Sequence, residues 1–373
     1  MARTRARDAC PGALQVHRAA DGALARIRLP GGVITAAQLQ ALAGAATEWG
    51  TGTLELTSRG NVQIRGIHDG YAAAVAEAVA AAGLLPSPTH ERVRNIVASP
   101  LSGRVGTAPD VRALVTDLDG AIRAEPGLAG LPGRFLFGID DGRGDISGLG
   151  ADVGVHVAGD TAALLLGGRD TGVRLPLSAA APTLTEVAQR FAETRGNAWR
   201  VSELDDHAPL LTGLTATERS GTTWEPVVRP PVGWIQQNDG HIALGAAVPL
   251  GVLPARTAEF LAAIGAPMVI TPWRSVLVFD LDEGVADVSL RVLAPLGLVF
   301  DENSPWLSVS ACTGSPGCER SAADVRADAA AMLDEPSTGH RHFVGCDRAC
   351  GSPPAGDVLV ATGDGYRPRV TPP

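Results

Sequence analysis

The chain contains no lysine, so all 31 of its basic residues are arginines. Its 40 acidic residues give a net charge of −9, which argues against a nucleic-acid-binding surface. Abundant Ala, Gly and Pro fit a GC-rich coding sequence, which by itself accounts for the use of Arg instead of Lys. Any anion site in this protein must nevertheless use guanidinium groups, which pair bidentately with carboxylates.

Long apolar runs are also missing. None approaches the roughly 20 residues that a membrane-spanning helix needs, although 45% of the residues are hydrophobic and can form sizeable cores. Residues 1–8 are basic, but the apolar region of a secretory signal does not follow them. We therefore expect a cytoplasmic protein with no membrane partner, whose 373 residues form two or three domains.

Cysteine is scarce, but four of the five cysteines lie in two short loop-forming runs near the C-terminus. The first run contains Cys312 and Cys318, and the second contains Cys346 and Cys350. In a reducing compartment clustered cysteines are more often metal ligands than disulfides. Four cysteines are the usual ligand set of a [4Fe–4S] cluster, while zinc and unliganded thiols remain as alternatives. Cys10 stands alone, and we interpret it as a plain loop cysteine.

Hydrophobic periodicity predicts the order strand, helix, strand, strand, helix over residues 21–85. Thr35 and Gln38 form a predicted capping box for a helix that ends near residue 48. A second helix is expected from residue 71 to residue 82, where Gly83 stops it. The predicted strands cover residues 23–29, 54–57 and 61–67.

Residues 90–215 form a second predicted unit. Thr183 and Glu186 are expected to cap a helix that ends near residue 194. Residues 211–231, rich in Thr, Gly and Pro, are interpreted as a linker. The other predicted elements are strands at residues 93–97, 135–139 and 153–157 and a helix at residues 110–123.

The opening pattern then returns, which indicates an internal duplication. The matched runs are Asp21-Gly22 with Asp239-Gly240, residues 30–34 with 249–253, and residues 56–59 with 270–274, the last with one gap. By this match the unit after residue 300 mirrors residues 90–215 and has Cys312 at the place of Arg94. Its predicted elements are a strand at residues 306–310, a helix at residues 322–333 and a late strand at residues 358–361.

The two cysteine runs resemble the cluster signature of the sulfite and nitrite reductase family. Residues 56–66 are similar to the tetrapyrrole-binding stretch of that family, and residues 94–96 to its second arginine motif. The resemblance covers nearly the whole chain. Within the superfamily, residues 10–12, 271–274 and 342–346 are similar to the precorrin-3B synthase family.

This resemblance implies an internally duplicated α+β fold. It consists of two ferredoxin-like half domains and two α+β domains that bind the cluster and the tetrapyrrole. The implied domains are residues 1–88 and 216–303 for the two half domains, residues 89–215 for the tetrapyrrole-binding domain, and residues 304–373 for the cluster domain.

The implied reaction is the hydroxylation of precorrin-3A at C20 with dioxygen, with closure of a ring acetate to a γ-lactone, to give precorrin-3B. The implied cofactor is a [4Fe–4S] cluster, and a mononuclear non-haem iron remains open. No flavin or nicotinamide fingerprint is present, so electrons must come from an NADH- or NADPH-linked reductase or a ferredoxin. The alternatives are a sirohaem-dependent sulfite or nitrite reductase, which would bind sirohaem, and a non-catalytic carrier of a cluster and a tetrapyrrole.

The resemblance also implies which side chains bind the carboxylates of the macrocycle: Arg59, Asn61, Arg65, Arg94 and Arg134. Where reductases carry a second lysine for their oxyanion, this chain has Leu136, which puts the reduction of a dianion in doubt. The catalytic residues are not predicted, because none of the candidate iron ligands stands out. Those candidates are His68, His90, His156, His241, His340, His342, Asp140, Asp141 and Asp145.

Overall fold

The structure is a computed structural model that describes residues 8–333, 335 and 339–369. Residues 1–7 of the basic N-terminal run lie outside this part of the chain. The strands are β1 (His17–Ala19), β2 (Gly22–Ile27), β3 (Val33–Ile34), β4 (Thr53–Leu56), β5 (Val62–Ile67), β6 (Ile96–Ala98), β7 (Phe137–Asp140), β8 (Val153–Ala158), β9 (Thr161–Leu166), β10 (Arg169–Pro176), β11 (Gly233–Gln236), β12 (Ile242–Ala247), β13 (Val252–Pro254), β14 (Met268–Ile270), β15 (Ser275–Leu281), β16 (Val309–Ala311), β17 (Arg341–Val344), β18 (Asp357–Ala361) and β19 (Tyr366–Pro368). The helices are α1 (Ala36–Trp49), α2 (Ala72–Ala81), α3 (Arg112–Ala124), α4 (Leu177–Thr194), α5 (Ala255–Ala263), α6 (Glu283–Leu293) and α7 (Val325–Ala331).

The described chain divides into two compact units. Unit 1 contains residues 8–12, 28–32 and 85–227, and unit 2 contains the other described residues. Unit 1 therefore holds the predicted tetrapyrrole-binding domain. Unit 2 holds most of both predicted half domains and the predicted cluster domain. Within the described residues, no helix has the length and apolar composition that a bilayer crossing requires.

Unit 1 is built on one five-stranded sheet in the order β10-β9-β8-β7-β6. Strands β6, β7 and β8 are parallel, and β8, β9 and β10 are antiparallel. The core contains Phe135, Phe137 and Phe191, each fully buried, with ring centroids about 5 Å apart. Strands β9 and β10 were not predicted from the sequence.

The predicted helix cap at Thr183 is wrong. Helix α4 begins earlier, at Leu177 directly after Pro176, and Thr183 is buried inside it. The Thr-x-x-Glu pattern also occurs within helices, and here the small residues before it continue the helix backward. The capping box of α1 is confirmed, because Thr35 Oγ1 accepts from the Gln38 N–H at 3.2 Å and Gln38 Oε1 accepts from the Thr35 N–H at 3.0 Å.

Unit 2 contains two five-stranded half-sheets, ordered β1-β2-β5-β4-β13 and β11-β12-β15-β14-β3. Each takes one edge strand from the other copy, because β13 pairs with β4 and β3 pairs with β14. Helices α1 and α5 pack against each other. The two half domains therefore form one interlocked body.

The half-sheets confirm the internal duplication. Both place a bulge at the same point of the ladder, in β2–β5 and in β12–β15. The left-handed residue of each bulge is Gly66, with φ 60°, and Asp280, with φ 59°. The short 3-10 turns Pro30–Gly32 and Pro249–Gly251 also correspond.

The one-residue gap in the third sequence match is wrong. The Thr57 N–H donates to the Asn61 carbonyl, and the Thr271 N–H donates to the Ser275 carbonyl, both at 2.9 Å. The two turns therefore have equal length. Arg274 corresponds to Gly60, and the counterpart of Arg59 is Trp273.

The last domain of unit 2 is a four-stranded sheet in the order β16-β17-β18-β19, in which β16, β17 and β18 are parallel. It repeats the parallel part of the unit 1 sheet. Strand β16 starts later than predicted, because Pro305–Ser308 forms a 3-10 turn. Ala98 pairs with Ile139 and Ala311 with Phe343, so the residues after these strands are equivalent. The predicted match of Cys312 with Arg94 is therefore wrong, and its counterpart is Ser99.

Candidate metal centre

Both cysteine runs are loops that follow neighbouring parallel strands. Cys312 and Cys318 come after β16, and Cys346 and Cys350 come after β17. The carboxyl ends of parallel strands meet at one edge of a sheet, so the two loops lie side by side. The Cys312 N–H donates to the Phe343 carbonyl at 2.9 Å, which extends the ladder up to the first cysteine.

The thiols are partly shielded from water and are not joined as disulfides. Cys312, Cys318 and Cys346 are half-buried, and Cys350 is exposed. The Gly345 N–H donates to Cys312 Sγ at 3.4 Å. Burial raises the pKa of the Cys312 thiol, and the neighbouring Cys350 and Cys318 add to this effect, while backbone N–H groups oppose it. A metal bound here has to displace this proton.

The spacing of the cysteine sulfur atoms distinguishes a zinc ion from a [4Fe–4S] cluster. Tetrahedral zinc, with Zn–S bonds of about 2.3 Å, needs sulfur atoms about 3.8 Å apart. Among the described residues, no three cysteine sulfurs lie within 4.8 Å of one another. In a [4Fe–4S] cluster each thiolate binds a different iron atom, so a wider spread is required. The four cysteines therefore fit a cluster better than a zinc ion.

Hydrogen bonds and a glycine hold the two loops against each other. The Ala322 N–H donates to the Gly345 carbonyl, and the Ser321 N–H donates to the Cys318 carbonyl, both at 3.0 Å. A Cβ at Gly345 would lie 1.7 Å from Ser321 Oγ. Only glycine fits at this crossing, immediately before Cys346.

Arg65 supports the first cysteine loop from the half-sheet of the first copy. Its guanidinium donates to both carboxylate oxygens of Asp21, at 3.0 and 2.9 Å, and to the Gly317 carbonyl at 2.8 Å. The side chain is 8% exposed. In this arrangement Arg65 positions the residue next to Cys318, in addition to the tetrapyrrole-binding role expected for it.

Arg274 supports the second cysteine loop, and sequence reasoning gave it no role. Its Nη2 donates to the Gly351 carbonyl at 2.7 Å. Burial lowers the pKa of Arg274 to about 10; nearby Arg326 adds to this effect, while Glu55 and Cys312 oppose it. The sequence signal for this residue is the Thr271–Arg274 run, which carries part of both the duplication and the family resemblance.

A chain of buried side chains also reaches the second loop. His342 Nε2 lies 3.0 Å from the Cys350 carbonyl, which can only accept, so this nitrogen carries the proton. Ser310 Oγ lies 2.7 Å from both His342 Nδ1 and His340 Nε2. Burial lowers the pKa of His342 to about 3 and that of His340 to about 4, with Arg274 adding to both shifts. Both rings are therefore neutral at pH 7.

Arg59 and Asn61 lie in the turn between β4 and β5, in unit 2. Arg59 is half-buried, and its N–H donates to Thr57 Oγ1 at 3.3 Å. Asn61 is 1% exposed, and its N–H donates to the same Thr57 oxygen at 3.1 Å. Thr57 thus fixes the backbone that presents both side chains.

Arg94 and Arg134 lie in unit 1. Arg94 is buried in a bidentate ion pair with Asp119, at 2.6 and 3.0 Å. Arg134 is exposed and stacks over the Trp199 ring at 5.5 Å. Leu136 is buried, and its N–H donates to an Asp152 carboxylate oxygen at 2.8 Å.

Three aspartates, Asp140, Asp141 and Asp145, place one carboxylate oxygen each within 4.8 Å of the others. Among the described residues, no other three His, Cys, Asp or Glu side chains bring their ligand atoms this close. Asp140 is fully buried and accepts four backbone N–H bonds, from Gly142, Gly144, Ile146 and Ser147. Its hydrogen bonds build the turn itself. Burial raises the pKa of Asp145 to about 7, although the Ser99 hydroxyl donates to it at 2.5 Å.

The histidines predicted as candidate iron ligands do not form a two-histidine, one-carboxylate site among the described residues. His68 is exposed. His90 lies 2.9 Å from the Glu125 carbonyl, His156 lies 3.4 Å from Asp140, and His241 lies 3.2 Å from Asp239.

Comparison with known proteins agrees with this architecture. Residues 16–82 match the family model of the nitrite/sulfite reductase ferredoxin-like half domain. A precorrin-3B synthase from Sinorhizobium sp is 27% identical over 384 aligned residues, which cover 96% of this chain and 82% of the relative. The chain is thus similar to members of the sulfite/nitrite reductase superfamily. The predicted duplicated α+β fold of this superfamily is confirmed.

Other superfamily members are also similar to the chain. The ferredoxin–nitrite reductase of Synechococcus elongatus is 24% identical over 391 aligned residues, covering 90% of this chain and 75% of the relative. The structure of the Mycobacterium tuberculosis NirA protein superposes with a TM-score of 0.77 and 20% identity, covering 93% of this chain and 73% of that one. Both similarities cover nearly the whole chain.

Proposed function

We propose that the protein is an oxygen-dependent monooxygenase that converts precorrin-3A to precorrin-3B in aerobic cobalamin synthesis. The observation that carries this proposal is the similarity to a precorrin-3B synthase over 96% of the chain. In the reaction one oxygen atom of dioxygen becomes the hydroxyl at C20, and the other leaves as water. A ring acetate closes to the γ-lactone, and two electrons come from a donor outside the protein.

Cys312, Cys318, Cys346 and Cys350 would hold a [4Fe–4S] cluster, because four cysteines are its usual ligand set and no three of their sulfur atoms lie within 4.8 Å of one another, as one zinc ion would require. A bound cluster supplies electrons one at a time. The donor is proposed to be an NADH- or NADPH-linked reductase or a ferredoxin, and free cysteines fit a reducing cytoplasm.

Substrate binding is assigned to the predicted arginines, because precorrin-3A carries many acetate and propionate groups. Arg65 and Arg94 already have the carboxylate partners Asp21 and Asp119. A substrate carboxylate at either guanidinium would have to share it or replace the partner. Arg59 lies in the turn between β4 and β5 whose backbone Thr57 fixes, and it is the residue tested below. Arg134 is exposed and is the weakest candidate.

The buried Leu136 supports an apolar co-substrate. At this position the resemblance implies a lysine in the reductases, whose substrate is an anion. A desolvated dianion needs compensating charge, which leucine does not supply, whereas dioxygen needs none. This favours oxygenation over the reduction of sulfite or nitrite.

A sirohaem-dependent reductase is the second candidate, and the similarity to a ferredoxin–nitrite reductase favours it. A carrier without catalytic activity is the third. Anaerobic purification, iron and sulfide counting and an absorption spectrum separate the first two. We expect a brown cluster spectrum without the strong red bands of an isobacteriochlorin, and those bands would refute the monooxygenase.

Turnover with ¹⁸O₂ tests the reaction itself. The purified protein is supplied with precorrin-3A, a reductant and labelled dioxygen. We expect a product that contains one labelled oxygen atom. The absence of any product from a protein that holds its cluster would support the carrier.

Arg59→Ala tests substrate binding separately from the cluster. Loss of one charge-assisted contact should weaken binding of precorrin-3A about tenfold, which corresponds to ~1.4 kcal/mol. The cluster spectrum should not change. Arg18→Ala, at an exposed position of β1, is the matched control and should bind like the parent protein. Parent-like binding by Arg59→Ala would rule out its assigned role.

A further inference from the structure

Arg274 has a backbone conformation that arginine rarely adopts. Its φ is 56°, in the left-handed region, which costs a residue with a Cβ roughly 1–2 kcal/mol. The equivalent residue in the first copy is Gly60, with φ 64°, as such a turn normally requires. The second copy thus keeps an arginine at a position that suits glycine.

The surroundings of the Arg274 side chain leave room for it. A Cβ added to Gly251 would lie 2.7 Å from Arg274 Cδ, and one added to Gly351 would lie 2.6 Å from its Nη2. Two glycines in different parts of unit 2 therefore flank this guanidinium. The hydrogen bond to the Gly351 carbonyl, at 2.7 Å, holds the Arg274 guanidinium beside the residue that follows Cys350.

The Arg274 guanidinium lies at the second cysteine loop, because its Nη2 donates to the Gly351 carbonyl. The charged groups that act on it are Arg326, Glu55 and Cys312. Glu55 is already bound by Arg326 and by Gln63, whose Nε2 lies 2.7 Å from it. Cys312 is therefore the one of these anionic groups that no other described cation binds.

We propose that Arg274 is a positioning residue that holds the Gly351 carbonyl, next to Cys350, and whose charge raises the reduction potential of the cluster bound by the four cysteines. This inference rests on the proposed [4Fe–4S] cluster. Reduction adds one negative charge to the cluster. A nearby, partly buried cation stabilises the reduced form more than the oxidised form, and solvent and salt screen it less than they screen an exposed cation. Removal of the cation must therefore lower the potential.

The test compares the one-electron midpoint potentials of purified variants that hold their cluster. Arg274→Gly removes the charge and suits the backbone, as Gly60 does in the first copy. Arg274→Lys keeps the charge and the strained backbone. Arg256→Gln removes the same charge from an exposed position of α5 and serves as the matched control. Iron and sulfide content and the electron paramagnetic resonance spectrum of the reduced cluster are recorded for each protein.

We expect Arg274→Gly to shift the equilibrium about tenfold toward the oxidised cluster, a fall of about 59 mV for a one-electron couple. In Arg274→Lys and Arg256→Gln, the equilibrium between the oxidised and the reduced cluster should differ from that of the parent by less than about threefold. Equal potentials in Arg274→Gly and the parent, equal shifts in the Gly and Lys variants, or loss of the cluster from Arg274→Gly would each overturn the inference. A parent protein without a cluster would instead refute the cluster proposal.

Discussion

The two copies of the parallel-stranded domain share a backbone but carry different chemistry. In unit 1 the loops after β6 and β7 contain Ser99 and the aspartate turn from Asp140 to Asp145. In the last domain the same loops contain Cys312 and the run from Cys346 to Cys350. The loop between the second and third parallel strands has the same length in both copies, because Asp140 pairs with His156 and Val344 with Val360. The scaffold has therefore been kept while its loop residues were exchanged.

The half-sheets show the same contrast on one face. In the first copy this face carries Arg26, Glu55, Gln63 and Arg65, linked by hydrogen bonds and ion pairs. The equivalent residues of the second copy are Gly245, Val269, Leu277 and Phe279, and the last three are buried apolar side chains. A duplicated sheet can thus form a charged face in one copy and a packed core in the other. The four predictions below test this contrast, from the largest expected effect to the smallest.

Cys312→Ser gives the last domain the residue that unit 1 has at Ser99. We expect complete loss of the cluster, because a serine hydroxyl is a poor ligand for iron in a cluster that needs four thiolates. Iron and sulfide counting with an absorption spectrum measures this. Cys10→Ser, in unit 1, is the control and should keep the cluster. An unchanged brown chromophore in Cys312→Ser would show that Cys312 is not a ligand.

Phe279→Arg gives the second half-sheet the residue that the first has at Arg65. Phe279 is fully buried. An unpaired buried charge should lower the free energy of unfolding by about 3–5 kcal/mol. Urea denaturation measures the loss. Val288→Arg, at a position that is 60% exposed on α6, should change stability by less than about 0.5 kcal/mol. Equal stability of both variants would contradict the assigned packing.

Asp145→Asn gives unit 1 a neutral residue where the last domain has Ala349. Burial raises the pKa of Asp145 to about 7 from its ordinary 3.8, so the folded protein holds this proton more tightly than the unfolded chain. The stability that this group provides is therefore complete below pH 4 and is lost as the pH rises to 7. We expect the stability advantage of Asp145→Asn over the parent to grow by about 1–2 kcal/mol between pH 5 and pH 8, after allowance for partial exposure.

Melting temperatures at the two pH values measure this effect. Asp117→Asn, at an exposed position of α3, is the control and should show a pH-independent difference from the parent. The hydrogen bond from Ser99 is kept in Asp145→Asn, because the amide oxygen can accept it. An advantage that is the same at both pH values would contradict the burial of the Asp145 carboxylate.

Thr35→Ala removes the capping box of α1. The N-terminus of α1 then has no side-chain cap, as in α5, which begins after Pro254. We expect a loss of about 1 kcal/mol in the free energy of unfolding, measured by urea denaturation. Thr116→Ala, at an exposed position inside α3, should cost nothing or stabilise slightly because alanine favours helices. A similar result for both variants would mean that the cap does not contribute.

Features that depend on neighbours in the sequence were predicted well. The Thr35 capping box depends on two residues three positions apart. The cysteine pairs are likewise visible as short runs in the sequence. The duplication was readable because paired glycines and prolines mark the same turns in both copies. The structure adds the matching bulges at Gly66 and Asp280, which confirm it.

Features that depend on distant partners could not be read from the sequence. Arg94 and Asp119 are 25 residues apart, and Arg274 and Gly351 are 77 residues apart. No local pattern distinguishes an arginine that has such a partner from one exposed to solvent. The false cap at Thr183 has the opposite cause, since a local pattern was present but the helix continued through it.

The exchange of β3 and β13 has a consequence for the history of the chain. Each half-sheet completes its edge with a strand from the other copy, as domain-swapped homodimers do. A protein with only one copy would leave one edge of β4 unpaired, so its stable form would be a pair of molecules. Gene fusion would then have linked two subunits that were already interlocked. Once they shared one chain, each copy could change its face independently of the other.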